Sequence, residues 1–388
     1  MNIAVIGAGH AGVEAARVAA EAGSRVTLYS AESVLPYYRP RLVALAFGQA
    51  EESSIYMHPE SWYREHGIEL LLSTPVDAVN GVTGAVHAGA SPRVFHAVIL
   101  AMGSGPVLPP FAAACPWCVF PLWTVEHARA IRTRIQKDGR LIVIGGGILG
   151  LETALRAQDA GLQVTIIERQ KRLMPRQFGE RGSGMIYRLI RNMGIDVRLG
   201  QTVTRLEAGA DESGLTMHLE ESAPLQADLC VVSVGALPEL ALARRSALDL
   251  GHGVKVDETL HTSAPVVWAA GDIVEHAGWL QCSARGAALQ GHLASLNALA
   301  VLGGETPQPY ANPHVPVTLK MRGVELHSTG SVAADEHEEL PLDGNDDSAL
   351  RALVVREGLT VGVQMVGTRK GFDQYASGLG QKPAAPLP

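Results

Sequence analysis

Cysteine is scarce in this chain. Only Cys115, Cys118, Cys230 and Cys282 occur in 388 residues, too few for a disulfide framework and suited to a reducing compartment. Long apolar runs are also missing. The longest, Ala287 to Leu302, is broken by Gln290, His292 and Asn297, and none approaches the roughly 18 residues that a membrane span needs. The strand-like run Asn2–Ile6 opens the chain without a basic region and apolar leader, so the expected location is the cytoplasm. The fourteen histidines show no metal-ligand spacing, and no metal is expected. A net charge of −7 makes nucleic acid a poor partner. Glycine, by contrast, is abundant, with 42 residues. Such a supply suits backbone that must approach a ligand closely. With 47% apolar and 18% charged residues, the chain reads as globular, and it is long enough for two or three domains.

Charge is uneven along the chain. From Arg129 to Arg205 there are 15 Lys/Arg against 6 Asp/Glu. Such a segment draws an anionic ligand or an acidic protein, or it is a solvated, Arg-rich helical face.

The chain carries an internal duplication. In the first copy a strand, Ile3–Ile6, runs into the turn Gly7-Ala8-Gly9-His10-Ala11-Gly12. A helix over about Gly12–Ala22, a second strand, Arg25–Tyr29, and a closing strand, Ala97–Ala101, follow, ending at Met102-Gly103. In the second copy the strand is Leu141–Ile144 and the turn is Gly145-Gly146-Gly147-Ile148-Leu149-Gly150. A helix over about Leu151–Ala160, the strand Val164–Ile167 and the closing strand Asp228–Val234 follow, ending at Gly235. A small β-meander fits before the second closing strand, with Thr202–Leu206 and Leu215–Leu219 as strands and Ala208–Gly214 as the turn. A third glycine strand, Val266–Asp272, comes after copy two is complete. It is expected to return to the first domain, which makes the second domain an insertion. The tail from about Tyr310 differs. Val315–Met321, Ala352–Arg356 and Leu359–Val366 read as strands, the acidic Asp335–Asp347 as a loop, and Gln381–Pro388 as a loose Pro-rich end.

One GxGxxG is weak evidence, but two, each between strand and helix, make a dinucleotide fingerprint. The first Gly makes the tight turn, the second admits the pyrophosphate and the third lets helix pack on strand. Free N–H groups at the helix start then face the phosphates. The acid that binds ribose hydroxyls lies about 20 residues further on. In copy two it is Glu168, which favours NADH over NADPH, although Arg169, Lys171 and Arg172 behind it suit a 2′-phosphate. In copy one the equivalent position is Ser30, and the acid comes later, at Glu32. Asp272 reads either as a partner for cofactor hydroxyls or as the N-cap of the next helix. Cys115-Pro116-Trp117-Cys118 is either a redox pair, half a zinc site, or incidental; no second pair completes a metal set. Cys230 reads as a core residue, and His10 as a loop residue acting through its backbone.

These motifs resemble the two-dinucleotide-domain flavoproteins of the pyridine nucleotide–disulfide oxidoreductase superfamily. The chain is most similar to NADH:rubredoxin reductases and the flavin domain of NADH-dependent nitrite reductases. Further residues carry the likeness: Pro36-Tyr37-Tyr38-Arg39-Pro40, Leu100–Ser104 with Met102 where relatives have Thr, Ala269-Ala270-Gly271-Asp272, and Val317–Met321 with Gly323-Val324. The resemblance implies an α/β fold of two Rossmann-like three-layer domains, the NAD domain inserted in the FAD domain, plus a small α+β C-terminal domain. The implied boundaries are 1–110 with 236–308 for FAD, 111–235 for NAD and 309–388 for the small domain.

The implied FAD residues are Gly7, Gly9, His10, Ala11, Gly12, Glu32, Arg39, Val76, Ala101, Gly103, Gly271 and Asp272. Those implied for NADH are Gly145, Gly147, Ile148, Leu149, Gly150, Glu168 and Gly235, with Glu152 near the nicotinamide. The implied activity is hydride transfer from NADH to FAD, with electrons passed on to a small acceptor such as rubredoxin or an iron–sulfur partner, and no catalytic protein group is required. Disulfide reductases carry cysteine where this chain has Arg41–Phe47, so dithiol chemistry is not expected. Ring-hydroxylase ferredoxin reductases usually have Lys where Ala44 stands, which makes them the second reading. The same resemblance also admits an NADH oxidase or a flavin-binding scaffold subunit of a larger redox complex.

Overall fold

The computed structural model describes residues 1–209, 214–311, 313–332, 338–342, 346 and 348–383. Two compact units emerge. One comprises Met1–Leu42, Ala50–Gly105 and Ala236–Pro313; the other comprises Val43–Gln49, Pro106–Gly235 and His314–Pro388.

The first unit is built on a five-stranded parallel sheet. Its order is Val267–Ala269, Ala97–Leu100, Asn2–Ile6, Arg25–Tyr29, Ile68–Leu71. Ile3, Ala4, Val5 and all of Ala97–Leu100 are fully buried. Such unbroken apolar strands are what a parallel sheet covered on both faces needs. The strand Val267–Ala269 joins this sheet at its edge, beside Ala97–Leu100. A short antiparallel meander, Ala78–Asn80, Ala85–His87 and Arg93–Val94, leads into Ala97–Leu100.

The helices His10–Glu21 and Ala284–Gly303 pack closely because small residues meet. A Cβ on Gly291 would overlap the Ala11 carbonyl, and Ser295 Oγ donates to the Ala15 carbonyl at 3.0 Å. Ala284–Gly303 starts at Ser283, whose hydroxyl accepts from the Gly286 N–H, and stops at left-handed Gly304, φ +75°. Its polar interruptions are paired, as burial demands. Gln290 accepts from the Gly271 N–H, and Asn297 ties Thr259 to Gln308.

The second unit repeats the parallel sheet, in the order Asp196–Leu199, Gln163–Glu168, Arg140–Ile144, Leu229–Val232, Val119–Pro121. Its meander consists of Val203–Ala208, Leu215–Leu219 and Leu225–Ala227. The expected turn between the first two lies partly outside the described residues. The unit also holds a five-stranded antiparallel sheet, Val317–Met321, Val324–Gly330, Leu359–Val366, Leu350–Arg356, Glu338–Pro341, with the helix Phe372–Ser377. Arg322 pairs with Asp159 at 2.5 Å and Gln364 Oε1 accepts from the Gly179 N–H at 2.9 Å, which ties this sheet to the rest of the unit.

Three details differ from the expectations of the sequence. The acidic loop Asp335–Asp347 contains a strand, Glu338–Pro341, that pairs with Leu350–Arg356. Its charges and terminal proline are tolerated because an edge strand needs only one partner. The strand Val324–Gly330 is an addition. The signal for it is the Arg322-Gly323 pair, with φ of +34° and +86°, a tight hairpin turn between alternating runs. Finally, the Pro-rich end is anchored at its start, where the Thr360 N–H donates to the Gln381 carbonyl at 2.8 Å. Residues 384–388 lie outside the described residues.

Candidate functional site

Each parallel sheet ends on a glycine corner. Gly7 has φ +105°, and its N–H donates to the Tyr29 carbonyl at 2.9 Å. Side chains rarely adopt that conformation, and a Cβ there would also overlap the Ala101 carbonyl. Gly12 lies in the first turn of the following helix, and a Cβ on it would overlap the Gly7 carbonyl oxygen. A Cβ on Gly9 meets nothing within 4 Å. The loop is thus closed towards the protein and open at its middle glycine. No side chain caps the helix His10–Glu21, so its first-turn amides remain for an anionic group. Ala11 is buried, and the Ala101 N–H donates to the Ile6 carbonyl at 2.7 Å, holding the neighbouring strand end in line.

Around this corner stand the remaining first-unit residues singled out from sequence. Glu32 lies past the strand end. Its N–H donates to Ser30 Oγ at 3.2 Å, and its carboxylate accepts the Tyr37 hydroxyl at 2.8 Å and faces Arg39 at 3.4 Å. Asp272 follows left-handed Gly271, φ +85°, and accepts the Ser104 hydroxyl at 2.7 Å. Burial raises the Asp272 pKa, while the Ser104 hydrogen bond and the Arg39 charge oppose the rise. Asp272 is not the cap of the next helix, since Ser283 is. His10 is held neutral: burial, helped by the Arg39 charge, lowers its pKa to about 4. Val76 is buried in the core of the unit, and Gly103, φ +74°, turns the chain just before Ser104.

The second unit repeats the device. Gly145 has φ +114°, and its N–H donates to the Ile167 carbonyl at 2.8 Å. Cβ atoms on Gly145 and Gly150 would overlap the Ser233 and Gly145 carbonyls respectively, and one on Gly147 meets nothing within 4 Å. The helix Ile148–Asp159 starts without a side-chain cap, with Ile148 and Leu149 in its first turn. Glu168 closes its strand, and its two oxygens accept from the Gly146 and Gln170 N–H groups at 2.6 Å each. Burial raises the Glu152 pKa, opposed by Arg156. Gly235 has φ +123°, and its carbonyl accepts the Val107 N–H at 2.9 Å.

Sequence reasoning missed the partners that fix these groups. Ser104 orients Asp272. Gln290 holds the Gly271 N–H at 2.7 Å and passes on to the Tyr310 hydroxyl, which in turn donates to Gln281. The available signal was a lone glutamine in an Ala-rich helix. Cys115 and Cys118 are buried and unbridged, in a core cluster that also holds Cys230. Burial pushes the Cys118 thiol up to about 12 and raises that of Cys115, which argues against a reactive pair. Among the described residues no group of His, Cys, Asp or Glu is placed to hold a metal, and no helix is long and apolar enough to cross a membrane.

Residues 1–291 match the family described as pyridine nucleotide-disulphide oxidoreductase. A rubredoxin-NAD(+) reductase of Pseudomonas putida is 32% identical over 276 residues, covering 70% of this chain and 71% of that protein. A putidaredoxin reductase of the same organism is 30% identical over 367 residues, 89% of this chain and 86% of that protein. The crystal structure of a covalent putidaredoxin reductase–putidaredoxin complex superposes with a TM-score of 0.87 at 25% identity, covering 97% of this chain and 92% of that one.

Proposed function

The chain belongs to the pyridine nucleotide-disulphide oxidoreductase family, and from that premise we propose that it is an FAD-dependent reductase that takes a hydride from NADH and passes the electrons to a small redox protein such as rubredoxin or an iron–sulfur protein. The observation that carries this reading is the pair of glycine cradles. Each is closed by backbone on the protein side, open at its middle glycine, and backed by an uncapped helix start. Such a cradle fits the pyrophosphate of a dinucleotide.

We assign FAD to residues 1–110 with 236–308, NADH to 111–235, and the small domain to 309–388. Gly7, Gly9, His10, Ala11 and Gly12 would hold the FAD pyrophosphate through backbone. Glu32, Arg39 and Val76 would hold its adenosine side, and Ala101, Gly103, Gly271 and Asp272 the chain towards the ring. Gly145, Gly147, Ile148, Leu149 and Gly150 would take the NADH pyrophosphate, Glu168 its ribose, and Gly235 and Glu152 the nicotinamide side.

When bound, the flavin supplies the redox chemistry, accepting two electrons from NADH and releasing them onward. The protein's own work is orientation. Ser104 holds the Asp272 carboxylate in one direction. Gln290 fixes the Gly271 amide. No cysteine occurs in Arg41–Phe47, so electrons leave without a protein dithiol. The cationic excess of Arg129–Arg205, including Arg129, Arg132 and Arg134, suits an acidic acceptor. A reducing, cytoplasmic setting fits four cysteines that are all unbridged.

The test is an anaerobic titration of the purified yellow protein with NADH, followed by flavin absorption. About one equivalent should bleach it. A yellow protein that NADH leaves coloured would sink the reductase reading and favour a scaffold role.

A further inference from the structure

Asp272 is held from two sides. Its carboxylate accepts the Ser104 hydroxyl, and the residue before it, Gly271, is pinned through its backbone. Gly271 has φ +85°, and a Cβ on it would crowd Ala11 of the first glycine loop at 3.1 Å. Its N–H donates to Gln290 Oε1 at 2.7 Å. Gln290 Nε2 donates to the Tyr310 hydroxyl oxygen at 3.0 Å, and that hydroxyl donates to Gln281 Oε1 at 2.8 Å. Gln281 Nε2 then donates to the Pro313 carbonyl at 2.8 Å. All of these bonds run in one direction, so each dipole polarises the next. Gln290 is 2% exposed and Tyr310 6%, and a lost member would leave buried polar atoms unpaired. Burial raises the Tyr310 pKa, opposed by the Gln290 hydrogen bond, and the hydroxyl keeps the proton that it donates. The Tyr310 ring stands edge-on to His276, with centroids 5.3 Å apart. The ring is therefore braced independently of its hydroxyl.

We propose that Tyr310 is a positioning residue for FAD: through Gln290 it fixes the left-handed turn at Gly271 and so keeps the Asp272 carboxylate in its FAD-binding position. The Gly271 amide is already spent on Gln290, so Gly271 contributes the conformation of the turn and Asp272 the contact. A tyrosine that only filled the core would act through its ring and not through its hydroxyl. Its effect would also add to the loss of any other FAD contact.

The proposal rests on the assignment of Asp272 to FAD, and FAD release separates the two. The purified flavin-loaded protein is diluted, and release is followed as the rise in flavin fluorescence. Tyr310→Phe keeps the ring and its contact with His276 and leaves Gln290 Nε2 and Gln281 Oε1 unpaired. Release should become about tenfold faster, as for a buried hydrogen bond that loses one partner. Asp272→Ala should also speed release. The double variant Tyr310→Phe with Asp272→Ala should release FAD no faster than Asp272→Ala alone, because no carboxylate is left to position. Gln281→Met removes the acceptor at the outer end of the relay. It should shift release in the same direction by less, and it carries the same double-variant test if Tyr310→Phe folds poorly. An unchanged rate in both single variants of the relay, or factors that multiply in the double variant, overturns the proposal and leaves the FAD assignment intact. If Asp272→Ala itself releases FAD at the parent rate, the assignment of Asp272 falls and the proposal falls with it.

Discussion

Gly7 and Gly145 occupy equivalent corners of the two units, with φ of +105° and +114°, yet the acids downstream are held in different ways. Glu168 sits at the strand end and spends both oxygens on loop amides. Glu32 sits beyond the strand and braces side chains instead, the Tyr37 hydroxyl and the Arg39 guanidinium. The middle of each loop differs too, since His10 stands where the second loop has Ile148. One skeleton thus serves two sites. The glycines set the tight turn and the open helix start, and the acid's exact position sets whether it stiffens the loop or organises a neighbouring segment.

The strongest way to break this comparison is to fill the glycine contacts. Gly12→Ala and Gly150→Ala each push a methyl into a loop carbonyl. Gly12→Ala is expected to purify without flavin or not to fold. Gly150→Ala should keep its yellow colour and lose NADH bleaching by about 100-fold, the equivalent of about 3 kcal/mol. Normal bleaching in Gly150→Ala would mean that the second loop is not the nucleotide site. A smaller effect is expected from the acids. Glu168→Gln weakens two charge-assisted contacts and should raise the KM for NADH about tenfold while flavin content stays level. Glu32→Gln should loosen flavin retention with less effect on NADH. The reverse pattern in flavin release and KM measurements would exchange the two assignments.

The smallest effect concerns pH and separates the loops by His10 alone. Its folded pKa, about 4, lies below its unfolded value of 6.5. The unfolded chain therefore binds the extra proton first. The contribution to stability is complete above about 6.5 and is lost progressively as pH falls through about 4. Thermal midpoints measured between pH 7 and pH 4 should fall less steeply in His10→Gln than in the parent. Parallel curves would mean that His10 ionises equally in both states.

Much of the architecture was legible because its signals are local. Alternation, apolar runs and glycine spacing placed most of the expected strands within two residues and the two helix starts within two and three. The Arg25–Tyr29 strand is read as the second apolar strand of the repeat, and its β-branched and aromatic residues suit a buried pleat. The partners of the site residues were not legible. Ser104 and Asp272 are 168 positions apart, and no local pattern links them. Glu338–Pro341 was hidden because an edge strand can be acidic and short, so only its neighbour Leu350–Arg356 reveals it.

The sequence by itself determined that this chain carries two dinucleotide folds, because two glycine loops between strand and helix allow few other backbones. It also determined which residues form their two glycine corners. Only the tertiary structure decided what each acid does. Glu168 turns into its loop and Glu32 away from its own because side-chain direction depends on donors that packing brings within hydrogen-bond reach. The same holds for a cavity of about 630 Å³ beside Glu168. The run Arg169–Arg172 reads as a solvated charge cluster until Tyr187 and Leu199, supplied by a later helix and strand, give it walls.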